Sequence, residues 1–118
     1  METTTIESPE VQAAIASLRD TAPFVYGLTN YVAANLSANV LLALGAGPAI
    51  GAAPGFTASF PAGAGAVWIN GAALMSSVTP EALEEAAATA HKAGTPWVFD
   101  PVAIGGGATN TTRSSSRC

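Results

Sequence analysis

The sequence predicts an α/β fold in which helices cover both faces of a parallel sheet. Segments typical of strands and helices alternate along the chain, and parallel sheets are built from this order of elements. Two short runs, Ala66–Ile69 and Pro96–Phe99, are continuously apolar, as expected for strands buried on both faces. The 118 residues provide a core for one small domain.

Capping signals mark the ends of the first and last predicted helices. Ser8-Pro9-Glu10 combines a capping hydroxyl, a proline at the first helical position and an acid near the positive end of the dipole. This predicts a helix from Pro9 to about Arg19. Thr79-Pro80-Glu81 begins a later helix in the same way, and Gly94 ends it.

The middle of the chain is predicted from apolar periodicity. In YVAANLSANVLLALG an apolar residue recurs at every fourth position, which is typical of a helix, and the final Gly45 is a natural C-cap. We also expect a turn of helix near residues 56–60. The periodic residues are Val32, Leu36, Val40 and Leu44.

Four residues lie at or just past the carboxyl ends of the predicted strands. The strands begin at Phe24, Pro48, Ala66 and Pro96, and the residues at their ends are Asn30, Ile50, Asn70 and Asp100. Ligands of open parallel sheets bind at these ends. The sequence therefore predicts a ligand site at one edge of the sheet.

Charge is scarce and unevenly distributed. Eight acidic and four basic residues give a net charge of −4, which offers nucleic acid or an anionic membrane no electrostatic attraction. From Thr21 to Pro80 there is no charged residue and no histidine, so we expect most of this segment to be covered. This cover is the rest of a larger sheet, a partner subunit or a bilayer. The bilayer is the weakest of the three, because the best candidate for a membrane-spanning segment, residues 38–53, is short and interrupted by glycines and a proline.

The cysteine content and the first residues point to a cytoplasmic setting. The single cysteine, Cys118, is the last residue and excludes an internal disulfide. METTTIESPE has neither the basic start nor the apolar run of a signal peptide.

Asp100 is the first candidate for chemistry. It follows an apolar strand and precedes Gly105–Gly107, so its carboxylate is a candidate magnesium ligand and the glycine amides are candidates for contact with a phosphate. Asp before Pro is also a common turn former. Asn30 either hydrogen-bonds a ligand or caps the following helix. No P-loop, dinucleotide fingerprint, metal-ligand cluster or nucleophilic triad is found.

After Ile104 the sequence changes character. GGGATNTTRSSSRC has no apolar period, so we expect residues 105–118 to be a glycine-rich loop with a disordered tail. A truncation or a change of reading frame would produce this ending, and a genuine flexible tail is the alternative.

Three segments together resemble one family. LTNYVAANLSANVLLALGAGPAI, AVWINGAAL and PWVFDPVAIGGGAT are similar, in this order, to motifs of hydroxyethylthiazole kinases. The resemblance implies that residues 1–104 are the N-terminal part of a single kinase domain with a partial, three-layer ribokinase-like fold whose C-terminal part is missing. It also implies a trimer that transfers the γ-phosphate of ATP to 4-methyl-5-(2-hydroxyethyl)thiazole, with Mg²⁺, in thiamine synthesis.

The resemblance also implies roles for individual residues. Asn30 and Val32 are expected in the thiazole pocket, Ile50 at a substrate-contacting position where the family usually has methionine, and Asp100 near the phosphates and magnesium. Ala72 and Ala73 depart from the usual Gly-Thr. The family's ATP-binding and catalytic groups belong to a C-terminal part that this sequence does not match, so we expect little catalysis from this chain alone. The alternatives are another ribokinase-like kinase of vitamin precursors, or a non-catalytic α/β fragment that binds a ligand or subunit.

Overall fold

Four parallel strands form the sheet at the centre of this computed structural model, which describes residues 4–102. Strands and helices alternate as the sequence predicts. The helices are α1 (Pro9–Thr21), α2 (Tyr31–Leu44), α3 (Phe56–Gly63) and α4 (Pro80–Ala93), with a 3-10 helix at Gly71–Ser76. The strands are β1 (Phe24–Leu28), β2 (Gly47–Ile50), β3 (Ala66–Asn70) and β4 (Trp97–Asp100).

The strands lie in the order β2-β1-β3-β4, and every neighbouring pair is parallel. In register, Gly27 pairs with Ile50, Leu28 with Ile69, and Asn70 with Asp100. The carboxyl ends of all four strands therefore meet at one edge, as the sequence predicts, with β1 and β3 in the middle.

Most of the predicted helix ends are confirmed. Prolines occupy the start of α1 and α4, and the Thr79 hydroxyl accepts the Ala82 N–H at 3.1 Å. Gly45 ends α2 in the left-handed conformation, with φ of 100°, which glycine adopts without strain. The predicted capping role of the Ser8 hydroxyl is wrong, because that oxygen accepts the N–H of Thr5 rather than one from the helix.

The core lies between one face of the sheet and the helices α3 and α4. Tyr26 and Leu28 of β1 alternate onto this face, as do Val67 and Ile69 of β3, and all four are buried. Leu83 of α4 is also fully buried against them, which contributes roughly 1.5–3 kcal/mol. The small residues Ala86 and Ala90 allow α4 to approach the sheet closely.

The opposite face of the sheet is only partly covered. Helix α2 packs beside β2, yet none of its residues is buried, and Val32 and Leu36 are 90% and 69% exposed. Between α2 and the strands β3 and β4 lies an apolar concavity of about 520 Å³. We call this concavity the open groove; Val25, Leu36, Val40, Trp68 and Val98 line it.

The predicted burial of β3 and β4 on both faces is wrong. Burial alternates along β3, and in β4 the side chain of Val98 is 65% exposed. The reason is that no element within residues 4–102 covers the open groove on this face of the sheet. The continuous apolar character of these strands is typical of strands with two covered faces.

Candidate functional site

Asn70 joins the ends of the two central strands. Its side-chain carbonyl accepts the Ala72 N–H at 2.9 Å and so caps the 3-10 helix, while its amide nitrogen donates to the Thr29 hydroxyl at 3.0 Å. Thr29 directly follows β1 and is buried. Asn70 therefore holds the β1–α2 turn against the end of β3.

Asn30 caps helix α2 with its side-chain carbonyl, which accepts the Ala33 N–H at 3.1 Å. The Thr29 hydroxyl points at the same oxygen from 3.5 Å, the upper limit for a hydrogen bond. Within residues 4–102, the amide nitrogen of Asn30 makes no hydrogen bond. The capping interpretation is thus confirmed for the carbonyl end of this amide, and its nitrogen end carries two further donors.

A cavity of about 380 Å³ opens beside this turn, at the carboxyl edge of the sheet. We call it the strand-end cavity. Its walls come from the end of β1, the first turn of α2, the loop after β2 and the segment before α4. The lining residues are Leu28, Thr29, Tyr31, Ala34, Ile50, Gly51, Ala52, Ala53, Ser77 and Val78.

The strand-end cavity carries hydroxyl groups but no ionisable acid or base of the Asp, Glu, Lys, Arg or His type among its lining residues. The hydroxyls belong to Thr29, Tyr31 and Ser77, and the remaining walls are aliphatic. Such a cavity selects by shape and a few hydrogen bonds. Its chemistry favours a small neutral ligand over a charged one.

The structure brings only some of the predicted site residues together. Ile50 lines the strand-end cavity, whereas Asn30 is not among its lining residues, although its sequence neighbours Thr29 and Tyr31 are. Val32 is 90% exposed on α2 and is not part of the cavity wall. Asp100 ends β4, two strands away from β1, which places it roughly 10 Å from this turn by the usual strand spacing.

Asp100 is exposed at the carboxyl edge of the sheet. One of its oxygens accepts the Val102 N–H at 3.0 Å, which is the geometry of a turn. Within residues 4–102 no group of three or more His, Cys, Asp or Glu side chains is gathered that could hold a metal ion. The predicted glycine loop and tail, 105–118, lie outside the described residues.

Sequence reasoning gave no role to Tyr26, whose side chain lies under the wall of the strand-end cavity. The side chain is fully buried, and its hydroxyl donates to the carbonyl of Gly51. Burial, with a smaller contribution from the negative charge of Glu85, raises the pKa of Tyr26 to about 12. The available signal was a tyrosine on a core-facing strand position, because a buried phenol requires a partner for its hydroxyl.

Comparison with known proteins adds the identity of the family. Residues 15–117 match the model of the hydroxyethylthiazole kinase family. The chain belongs to this family. A hydroxyethylthiazole kinase from Burkholderia pseudomallei is 63% identical over 108 residues, which cover 92% of this chain and 39% of that protein. One from Pectobacterium carotovorum is 46% identical over 108 residues, covering 90% of this chain and 40% of that protein.

The fold is also that of the family. The structure of a hydroxyethylthiazole kinase protein from Pyrococcus horikoshii OT3 matches with a TM-score of 0.76 at 32% identity, over 89% of this chain and 41% of that one. The resemblance stated from the motifs and the predicted α/β fold are therefore confirmed. The chain spans about two fifths of the length of these hydroxyethylthiazole kinases. No helix within residues 4–102 has the length and apolar character needed to cross a membrane.

Proposed function

We propose that this chain forms the thiazole-binding part of a hydroxyethylthiazole kinase. The complete enzyme transfers the γ-phosphate of ATP to the hydroxyl of 4-methyl-5-(2-hydroxyethyl)thiazole in thiamine biosynthesis. The observation that carries the proposal is the neutral strand-end cavity, which Ile50 lines and Asn30 flanks, in a chain of this family.

The properties of the strand-end cavity suit a thiazole alcohol. Its volume of about 380 Å³ lies in the range of small-molecule sites, and its walls combine aliphatic side chains with polar groups. Ile50 supplies an apolar wall against the methylated ring. The amide nitrogen of Asn30 and the nearby hydroxyls of Thr29 and Ser77 supply hydrogen bonds to the ring nitrogen or the alcohol. Val32, which is exposed on α2, contacts the substrate only if the complete assembly covers that face.

Asp100 is suited to the phosphate side of the same edge. One carboxylate oxygen accepts the Val102 N–H, and within residues 4–102 the other makes no hydrogen bond. Mg²⁺ is commonly held by one or two carboxylates together with waters and substrate phosphates, so an exposed single carboxylate fits as one ligand. A bound Mg²⁺ supplies neutralisation of the phosphate charge. Asp100 would hold it at the end of β4, at the same edge of the sheet as the strand-end cavity.

Three finer assignments complete the proposal. ATP is the co-substrate, and its contacts belong mainly to the part of the longer kinases that this chain does not match. The full-length protein is a homotrimer, for which the exposed apolar face of α2 provides surface. The enzyme works in the cytoplasm, where ATP is supplied. Because this chain spans only about two fifths of the length of these kinases, its own turnover should not exceed a blank without enzyme.

A hybrid enzyme tests the proposal. It joins residues 1–102 of this chain to the remaining C-terminal part of the Burkholderia pseudomallei relative, which is 63% identical over the matched region. The hybrid should phosphorylate the thiazole alcohol with ATP. Asn30→Ala should raise the KM for the thiazole alcohol more than the KM for ATP.

The matched control is Asn39→Ala. Asn39 is exposed on the same helix and its side chain donates only to Asn35 within the described residues. It should leave both KM values unchanged. An equal effect of Asn30→Ala on both constants, or none, removes Asn30 from the thiazole pocket. A folded hybrid without thiazole phosphate formation refutes the proposed function.

A further inference from the structure

The loop after β2 forms one wall of the strand-end cavity, yet its own side chains have little means of holding it. Ile50 ends β2, and the loop continues through Gly51, Ala52 and Ala53. All four residues line the cavity. Ala52 and Ala53 are exposed, and alanine carries no hydrogen-bonding group in its side chain. The shape of this wall therefore depends on groups that come from elsewhere in the fold.

Gly51 is the point at which the wall is fixed. Its φ of +142° lies where side chains are rarely tolerated, so the turn requires glycine. Its N–H donates to the carbonyl of Gly27 at 3.3 Å, which extends the pairing of β1 with β2 by one residue. Its own carbonyl accepts the hydroxyl of Tyr26. Within residues 4–102, this is the one side-chain hydrogen bond made to residues 50–54.

Tyr26 is itself rigidly held. Its side chain is fully buried on β1, and its ring packs edge-on against Phe60 of α3, with ring centroids 5.5 Å apart at an interplanar angle of 82°. A phenol is protonated at neutral pH even at its ordinary pKa, and the raised pKa of Tyr26 keeps its hydroxyl a donor at higher pH as well. Glu85, whose charge contributes to that rise, accepts the hydroxyl of Thr57. The hydroxyl that holds the Gly51 carbonyl is therefore itself held in place.

We propose that Tyr26 is a positioning residue of the thiazole site, whose hydroxyl holds the Gly51 carbonyl and thereby sets the position of Ile50 and the wall that follows it. This inference rests on the proposed function, since it concerns the same cavity. Tyr26 touches no substrate; it acts through the backbone of Gly51. Removal of the Tyr26 hydroxyl should weaken binding of the thiazole alcohol. It should leave the binding of ATP and the rate of the chemical step unchanged.

The test is Tyr26→Phe in the hybrid enzyme, because this substitution keeps the ring and deletes only the hydroxyl. We expect the KM for the thiazole alcohol to rise about five-fold, the effect of one typical hydrogen bond. The KM for ATP and kcat should remain within about two-fold of the values for the unsubstituted hybrid, because the hydroxyl contacts neither ATP nor the reacting atoms. Hydrogen exchange should speed up at the amides of residues 51–53 and remain unchanged at Val67 and Ile69.

Thr95→Val is the matched control. Thr95 is buried like Tyr26, and the substitution also removes a hydroxyl. Thr95 precedes β4, the strand that lies farthest from β2 in the sheet. Thr95→Val should not separate the two KM values. If Tyr26→Phe does not fold, Gly51→Ala perturbs the same turn: its added Cβ meets no atom within 4 Å, and only φ is strained. It should produce the same separation.

The outcomes distinguish a failure of the positioning role of Tyr26 from a failure of the proposed function. An active hybrid in which Tyr26→Phe leaves the thiazole KM unchanged, or raises both KM values equally, overturns the positioning role alone. The same holds if Thr95→Val produces the same separation. A folded hybrid that makes no thiazole phosphate refutes the proposed function, and the positioning role falls with it.

Discussion

Gly27→Ala is the substitution for which the structure gives the sharpest expectation. The indole of Trp68 lies directly over Gly27, its partner in the β1–β3 register. A Cβ at position 27 would lie 2.3 Å from the ring atoms Cδ2, Cε2 and Cε3. Carbon atoms in contact are normally about 3.5–4.0 Å apart, so the indole has to move by more than about 1 Å. The space available to it is the open groove, which Trp68 lines.

Overpacking of this kind costs about 1–3 kcal/mol, and we expect Gly27→Ala to lower the free energy of unfolding by that amount. The assay is urea unfolding of the 118-residue chain at low micromolar concentration, followed by tryptophan emission. Emission comes from both Trp68 and Trp97, and the folded variant should also show a changed emission maximum because the indole of Trp68 is displaced. Gly63→Ala is the control, because a Cβ there meets nothing within 4 Å. Equal midpoints and identical emission for the two variants would refute the packing of Trp68 on Gly27.

Two further predictions concern the carboxyl edge and the open face. In the hybrid enzyme, Asp100→Asn should lower kcat and kcat/KM together by about a hundred-fold or more without changing the melting temperature. If the Asp100→Asn variant instead melts at a lower temperature and keeps its turnover, the role of Asp100 is to stabilise the turn and not to assist catalysis. In the 118-residue chain, Leu36→Lys should reduce concentration-dependent association, measured by sedimentation, because Leu36 is 69% exposed in the open groove. Its free energy of unfolding should change by less than about 0.5 kcal/mol; unchanged association would place the contact elsewhere.

The elements of the fold were predictable because their signals are local. The prolines at Pro9 and Pro80 and the glycines at Gly45 and Gly94 act on the backbone of their own turn, whatever packs around them. Burial was not predictable in the same way. The continuous apolar runs of β3 and β4 are typical of strands covered on both faces. Such a run does not indicate whether the covering element belongs to the same chain.

The candidate site was predictable in its position and not in its contacts. The topology rule alone places Asn30, Ile50, Asn70 and Asp100 at one edge once the sheet is parallel. Which of them are neighbours depends on the strand order, and the chain order does not give it. Because β1 lies between β2 and β3, Tyr26 reaches Gly51 on one side and Thr29 meets Asn70 on the other.

Strand β1 links the strand-end cavity to the open groove, so the two are not independent. Tyr26 faces the core and holds the cavity wall, while Gly27 faces the groove and carries the indole of Trp68. An element that covered the groove in a longer kinase would press the indole onto Gly27 and stabilise the pairing of β1 with β3. That pairing ends at Leu28 and Ile69, and the next residues, Thr29 and Asn70, hold the turn that carries Asn30 through their side-chain hydrogen bond. The lining of the cavity is thus local, and cover of the open groove would act on it through β1.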